Sequence, residues 1–179
     1  MVTLRKAAAY SKKIARPYTR NSRSKRKAFI KAIPPIKIAK SNMGVQIDWQ
    51  NGKHPFEVRL ISGERVQIRD NALEASRMFL NKILDEKAPG QYYLALRVYP
   101  HHILRENKTA AGAGADRLSS GMKHSYGIAI GRAAMVPEGK EIFFVSCANE
   151  KAARVAREAF SMIKAKLPCK THILFEKVK

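Results

Sequence analysis

Two stretches near the middle of the chain alternate between apolar and polar side chains with a period of two. They cover residues 56–60 and 65–69 and are separated by Ser62-Gly63. Strands with one buried face alternate in this way, and a short glycine-containing connection between two strands is typical of a β-hairpin. The sequence therefore predicts a hairpin at this point.

A helical pattern follows the predicted hairpin. Asp70 or Asn71 stands where a side chain can cap a helix. Pro89-Gly90 then ends the helix, and residues 92–98 form an apolar run that predicts a strand. The apolar residues that share the predicted buried face of the helix are Ala72, Ala75, Phe79 and Ile83.

The second half of the chain repeats this order. Residues 127–136 and 142–145 are extended in pattern, Asn149 can cap a second helix, Pro168 ends it, and residues 172–175 predict a last strand. The buried side of this helix is predicted to consist of Ala152, Val155, Ala156, Ala159, Phe160 and Ile163. A β–β–α–β order seen twice predicts an α+β fold, with two helices packed on an antiparallel or mixed sheet.

Two segments do not fit this order. Residues 1–31 show little apolar periodicity, and residues 107–126 are rich in glycine, alanine and serine. Twenty residues without regular structure are uncommon inside a compact domain and usually form a functional or disordered loop. We expect a basic N-terminal arm over 1–31 and a single α+β domain over 32–179, with a long flexible Gly/Ala-rich loop inserted at about 103–126.

Positive charge is concentrated at the N-terminal end of the chain. There are 35 Lys and Arg residues against 14 Asp and Glu, a net charge of +21, and residues 1–40 hold 13 of the basic residues and no acidic one. A polyanion relieves the self-repulsion of such an arm, so RNA, DNA or an anionic membrane is the implied partner. A solubilising tail is the alternative. No apolar run reaches membrane-spanning length and no signal peptide is evident, so we expect a cytoplasmic protein.

Catalytic and cofactor chemistry has little support in the sequence. Residues 112–117 are similar to a nucleotide-binding loop, but no buried strand precedes them and no Walker lysine follows. The adjacent His101 and His102 point to opposite sides of an extended chain, so they rarely share a metal ion. Cys147 and Cys169 are expected to be small core residues. We therefore expect no catalytic residue, no metal and no cofactor.

The residues around the loop carry a resemblance to a known family. The residues concerned are 104–108, 114–118 and 121–122, and further matches lie at 16–20, 37–38 with 43–44, 71–77 and 100–102, so the resemblance spans nearly the whole chain. These residues closely resemble the archaeal and eukaryotic large-subunit ribosomal protein family "ten-e", the counterpart of bacterial large-subunit ribosomal protein sixteen, and its archaeal form in particular. The resemblance implies that residues 37–38 with 43–44 form the first strand.

This resemblance implies a structural constituent of the large ribosomal subunit and not an enzyme. Members bind large-subunit rRNA below the central protuberance and help to shape the aminoacyl-tRNA site near the peptidyl-transferase centre. The implied partners are large-subunit rRNA, tRNA near the aminoacyl and peptidyl sites, and neighbouring ribosomal proteins. One departure is Ile128-Ala129, where relatives usually carry a basic or polar residue and a proline.

Two groups of residues are predicted to face RNA. Charge and resemblance together predict which residues of the arm bind rRNA: Arg5, Lys6, Lys12, Lys13, Arg16, Tyr18, Arg20, Arg23, Lys25, Arg26 and Lys27. The resemblance implies that a second group, in and around the loop, faces rRNA and tRNA: His101, His102, Arg105, Lys108, Gly112, Gly114, Arg117, Lys123 and Arg132.

Two other functions are compatible with a basic chain of this length. One is an RNA-processing or RNA-modifying enzyme that uses His101, His102 or Asp116. The other is a general basic nucleic-acid-binding protein that compacts DNA, although no helix-turn-helix pattern is recognisable.

Overall fold

The structure, a computed structural model, describes residues 8, 10–12, 16–24, 26–106 and 127–178. Its elements follow one another in this order: β1 (Asn42–Gly44), α1 (Gln46–Gln50), β2 (Phe56–Ser62), β3 (Val66–Arg69), α2 (Asp70–Lys87), β4 (Tyr92–Leu96), β5 (His102–Glu106), β6 (Ile128–Val136), β7 (Glu141–Cys147), α3 (Glu150–Ile163), a 3-10 turn (Lys164–Lys166) and β8 (Thr171–Lys177).

Five antiparallel strands form the larger sheet, in the order β1-β4-β7-β2-β8. The alternation along β2 explains how this sheet builds the core. Val58 and Leu60 are fully buried, whereas Glu57 and Arg59 lie on the opposite face of the strand. The buried face packs against α2 and α3, so the main core lies between the sheet and these two helices.

The predicted hairpin between β2 and β3 is wrong. Both strands exist, but β3 belongs to a second antiparallel sheet with the order β3-β6-β5. β2 is already paired with β7 on one side and β8 on the other, so neither of its edges can accept β3. The turn after β2 is held by other loops: the Gly63 N–H donates to the Lys170 carbonyl at 2.9 Å, and the Ser62 N–H donates to the Lys140 carbonyl at 3.0 Å.

The buried face of α2 differs from the predicted one. Ala72 is buried as predicted, but Ala75 is exposed, and Phe79 and Ile83 are only partly buried. The residues that the helix buries are Asp70, Ala72, Leu73, Ser76, Leu80 and Leu84. Leu73, Leu80 and Leu84, spaced by seven and four residues, lie on one side of the helix, and that side faces the core, whereas Phe79 and Ile83 precede two of them and pack only partly against it.

α3 matches its prediction. Five of the six predicted core residues are buried and the sixth, Val155, is partly buried against the same core. Asn149 occupies the N-cap position, but its side chain makes no capping bond and instead donates to the Gln91 side chain at 3.1 Å. The helix is therefore stabilised by burial of its apolar face.

The predicted α+β class is confirmed. Each half contains the strand–strand–helix–strand order, as β2-β3-α2-β4 and as β6-β7-α3-β8. All strand pairs in the part of the chain that the structure describes are antiparallel. The short helix α1 was not predicted, and the first strand contains Met43 and Gly44 but not Lys37 and Ile38.

Candidate RNA interface

The N-terminal arm begins its contact with the domain at the open edge of β3. The backbone N–H of Gln67 donates to the Ser11 carbonyl at 3.0 Å, and the Gln67 side-chain amide donates to the Tyr10 carbonyl at 2.7 Å. Ser11 is buried, and β3 is an edge strand of the smaller sheet. The arm therefore covers backbone groups that an exposed sheet edge would leave open.

A second contact joins the arm to β5, the other edge of the same sheet. The Tyr18 N–H donates to Nδ1 of His102 at 2.8 Å, and the Ile103 N–H donates to the Tyr18 carbonyl at 3.1 Å. The Arg105 guanidinium lies 3.7 Å from the centroid of the Tyr18 ring, a cation–π contact, and the ring of Phe29 meets Tyr18 edge-on at 5.8 Å. We call this group of residues, Tyr18, Phe29, His102, Ile103 and Arg105, the arm joint.

Beyond the arm joint the arm folds back on itself. The Ile30 N–H donates to the Arg20 carbonyl at 3.1 Å, and Ala28 and Ile30 are buried. Between these anchors the side chains of Arg23 and Arg26 are exposed. The arm thus presents its cations on a segment whose two ends are fixed to each other.

The chain between the arm and β1 is held by three polar contacts to its backbone. Nε of Arg132 donates to the Pro34 carbonyl at 2.7 Å, and the Asp70 carboxylate accepts the Lys37 N–H at 3.2 Å. The Glu74 carboxylate accepts the Ala39 N–H at 3.3 Å. Asp70 also accepts the N–H of Asn71, so one carboxylate stabilises the start of α2 and holds the segment between the arm and β1.

Several carboxylates of the domain pair with cations of the domain. Arg59 contacts the carboxylates of Glu57, Glu141 and Glu176 at 2.6, 3.6 and 3.3 Å. A hydrogen bond from Arg77 lowers the pKa of the Glu74 carboxyl below its usual value. These carboxylates are therefore already engaged within the domain and are not partners of the arm.

Four arginines of the arm are exposed and have no carboxylate partner among the described residues. Arg16, Arg20, Arg23 and Arg26 form no ion pair with any residue that the structure describes, and Lys27 is also exposed. Exposed guanidinium groups bind phosphate oxygens through charged hydrogen bonds. The arm therefore offers several phosphate-binding groups on a part of the chain whose backbone is anchored.

The strands β5 and β6 form the base of the segment predicted as a loop. The Cβ that an alanine would place at Gly127 lies 2.8 Å from the carbonyl carbon of Glu106, and Gly127 has a φ of +155°. Only glycine permits the two backbones to approach so closely. The predicted loop continues from this base through residues 107–126, which lie outside the described residues.

The two adjacent histidines have different environments, as the alternation of an extended chain predicts. His101 is exposed and its ring lies 4.5 Å from that of Tyr99, whereas His102 is buried in the arm joint. Burial, together with the positive charge of Arg105, lowers the pKa of His102. The neutral ring is the form that can accept the Tyr18 N–H at Nδ1.

A metal-binding cluster and a membrane-spanning helix are both absent from the described residues. Within ranges 16–24, 26–106 and 127–178 no group of three or more His, Cys, Asp and Glu side chains could hold a metal ion, and no helix there is long and apolar enough to span a membrane. Cys147 is fully buried, and burial raises the pKa of its thiol to about 12. The prediction that it is a core residue is confirmed.

Comparison with known proteins gives the family. The model of the family described as "Ribosomal protein L16p/L10e" matches residues 16–174. This chain belongs to that family. The L16p/L10e chain is 40% identical over 174 residues to "Large ribosomal subunit protein uL16" of Archaeoglobus fulgidus, which covers 97% of the chain and 94% of the relative.

Other archaeal relatives agree. The protein of the same name from Methanococcus maripaludis strain C7 is 43% identical over 177 residues, covering 98% of this chain and 96% of the relative. That of Halobacterium salinarum strain R1 is 39% identical over 173 residues, covering 94% and 93%. The L16p/L10e chain is thus of the archaeal type, and its family is a structural component of the ribosome and not an enzyme.

The structure brings together only some of the residues predicted for RNA contact in this L16p/L10e chain. Tyr18, His102 and Arg105 meet in the arm joint, and Arg132 binds the Pro34 carbonyl beside it. The other described members are exposed: Lys12, Arg16, Arg20, Arg23, Arg26, Lys27 and His101. The remaining members lie outside the described residues: Arg5, Lys6, Lys13, Lys25, Lys108, Gly112, Gly114, Arg117 and Lys123.

Sequence reasoning missed several residues of this surface. Lys37 and Lys40 are exposed cations on the segment that leads to β1, and the acid-free composition of residues 1–40 could have included them. Arg65 is exposed beside the arm at the start of β3. Nothing in the sequence could have identified Arg65, because its neighbourhood is created by the folding of the arm.

Proposed function

We propose that this chain is a structural constituent of the large ribosomal subunit that binds large-subunit rRNA through its N-terminal arm and approaches tRNA with its loop. The observation that carries the proposal is the arm itself: an acid-free segment, anchored by its backbone at both edges of the smaller sheet, with unpaired arginines on its surface. Membership in a ribosomal protein family supplies the partner class.

The binding mechanism is electrostatic. Each guanidinium that contacts a phosphate releases condensed counterions, so affinity falls steeply as salt concentration rises. Because the anchors are hydrogen bonds to backbone groups, Arg16, Arg20, Arg23 and Arg26 bind phosphate without first breaking an ion pair to a described residue. Less ordering entropy is then lost on binding than for a free tail.

The arm is tested by replacing Arg16, Arg20, Arg23 and Arg26 together with Gln. We expect reduced co-sedimentation of the chain with large subunits, and a log–log salt dependence shallower by roughly 0.7–0.9 for each phosphate that the variant no longer binds. The matched control replaces four exposed cations of α2 and α3 with Gln, namely Lys82, Lys87, Lys151 and Arg157. Equal incorporation of both variants would contradict the role of the arm.

The loop is tested by deletion of residues 109–120. We expect the deleted chain to join the subunit, because the arm and the domain remain, while such subunits translate poorly. A toeprint assay with aminoacyl-tRNA reports occupancy of the aminoacyl site directly. Normal tRNA occupancy and normal translation would show that the loop has no part in tRNA binding.

The exposed position of His101 and the burial of His102 give no support to the enzyme alternative. His102 is engaged as a hydrogen-bond acceptor inside the protein, and the ring of His101 lies against Tyr99. General acid–base chemistry needs a group within reach of a substrate and a partner that orients it.

A further inference from the structure

A groove lies where the arm crosses the end of the smaller sheet that is farthest from the predicted loop. It encloses about 350 Å³. Val66 and Val136, which pair with each other across β3 and β6, form its floor, and Pro17, Met135 and Pro137 complete its apolar lining. Pockets for small ligands begin at roughly this volume, so the groove is large enough for one nucleotide.

Two arginines complete the lining of this groove. Arg16 comes from the arm and Arg65 from the start of β3, and both are exposed. No ion pair or hydrogen bond joins either guanidinium to a described residue. The nearest carboxylate in sequence is that of Glu64, which instead faces the Lys170 N–H at 3.4 Å.

We infer that this groove, which we call the Arg16–Arg65 groove, holds one unpaired nucleotide of an RNA. The inference rests on the proposed function and assigns a site to it. Apolar and proline surfaces pack against the face of an unstacked base, while the two guanidinium groups bind the flanking phosphates or stack on the base. An inorganic phosphate would use only the arginines, and an apolar peptide would use only the lining.

The position of the groove agrees with this occupant. Its lining includes Pro17, next to Tyr18 of the arm joint, so RNA bound along Arg16, Arg20 and Arg23 passes its entrance. Glu138 follows Pro137 in the adjoining turn and is exposed, and Lys140 is exposed two residues later. The exposed charge around the groove is therefore net positive, which favours a polyanion over an acidic or neutral peptide as a partner.

The test uses the full chain labelled with photo-methionine and bound to large subunits stripped of their own copy of this protein. After irradiation, nuclease digestion and trypsin treatment, residues 133–140 form one peptide with Met135 as its only methionine. We expect that peptide to carry a nucleotide. Its yield should fall about fivefold or more in Arg65→Gln, the loss expected when a charged hydrogen bond is removed. The yield should not change in Arg157→Gln, which removes one exposed arginine from α3.

The outcomes separate this inference from the proposed function. If the chain binds the particles but the 133–140 peptide is joined to another protein or only to water, the groove does not hold RNA, although the ribosomal role stands. A nucleotide yield in Arg65→Gln equal to that of the unsubstituted chain also overturns the assignment. Failure of the chain to bind the stripped particles overturns the proposed function and the groove with it.

Discussion

Replacement of Tyr18 by Ala is expected to release the arm from β5 without unfolding the domain. The substitution removes the aromatic ring that Arg105 covers at 3.7 Å and that Phe29 meets at 5.8 Å. It leaves the backbone N–H and carbonyl that bond to His102 and Ile103. The change therefore measures what the ring contributes to the arm joint.

The magnitude follows from the two ring contacts. A half-buried cation–π contact contributes about 1–2 kcal/mol, and an edge-to-face aromatic pair about 0.5–1.5 kcal/mol. Their removal shifts the equilibrium between docked and released arm by about 1.5–3.5 kcal/mol, which is roughly tenfold to a few hundredfold. Tyr18→Phe keeps both ring contacts, and it removes no hydrogen bond from the phenol to a described residue.

The assay is hydrogen exchange of single amides by NMR. The Ile103 amide donates to the Tyr18 carbonyl, so its protection reports the docked arm. The amide of Val145 lies in the middle of β7 and reports the stability of the domain. We expect the Ile103 amide to exchange at least about tenfold faster in Tyr18→Ala, with Val145 unchanged and with little effect of Tyr18→Phe.

Three results would refute this reasoning. Unchanged exchange of Ile103 in Tyr18→Ala would show that the ring contributes nothing to docking. Equal acceleration in Tyr18→Phe would show that the hydroxyl group, and not the ring face, holds the arm. Acceleration of Val145 together with Ile103 would mean that Tyr18 stabilises the whole domain.

Three further predictions concern other contacts. Burial lowers the pKa of His102, so His102 binds a proton more readily when the arm is released than when it is docked. Docking is therefore complete above about pH 6.5 and weakens as the pH falls below that value, which the Ile103 protection factor should report. The pH dependence should be absent in His102→Gln, and protection of Ile103 that does not change with pH in the unsubstituted chain would contradict the prediction. Gly127→Ala places a Cβ against the backbone of Glu106 in the opposite strand and should lower the free energy of unfolding by about 1–3 kcal/mol, with Tm falling by about 2–4 °C per kcal/mol. In the control, Gly131→Ala, the Cβ meets no atom within 4 Å, so Tm should not change. Equal Tm values for the two variants would contradict this prediction. Arg59→Ala leaves three carboxylates without their shared partner and should lower the free energy of unfolding in urea by about 1–2 kcal/mol. Arg154→Ala breaks an exposed pair and should lower it by less than about 0.5 kcal/mol. Similar losses in the two variants would show that the contacts of Arg59 are no stronger than a surface pair.

Local patterns predicted the elements of this fold better than their partners. Alternation identified β2 correctly, because a strand with one buried face needs a period of two wherever it lies in a sheet. It also identified β3, although Gln67 on the polar face of that strand is buried too. The same pattern cannot show that β2 is already paired on both sides, since that depends on strands 80 and more residues away. The false hairpin arose from treating nearness in sequence as pairing.

The candidate site shows the same division. The concentration of charge predicts that the arm is a surface for a polyanion, and counting residues is sufficient to make that prediction. The sequence did not predict that Tyr18 packs against Arg105 or that Arg65 lies beside Arg16, because both arrangements depend on how the arm crosses the smaller sheet. His102 stands beside His101 in sequence, yet only folding turns it into the acceptor for the arm.

The way in which the arm is attached bears on how a strongly basic segment can be ordered at all. If ion pairs held the arm in place, Arg16, Arg20 and Arg23 would each have to break such a pair before binding phosphate. The free energy of RNA binding would then be less favourable by the energy of each broken pair. The anchors at Gln67 and Ile103 instead bond to carbonyl groups of the arm. Backbone bonds order the chain without neutralising it, so the repulsion between its cations persists in the free protein and is relieved only when a polyanion binds.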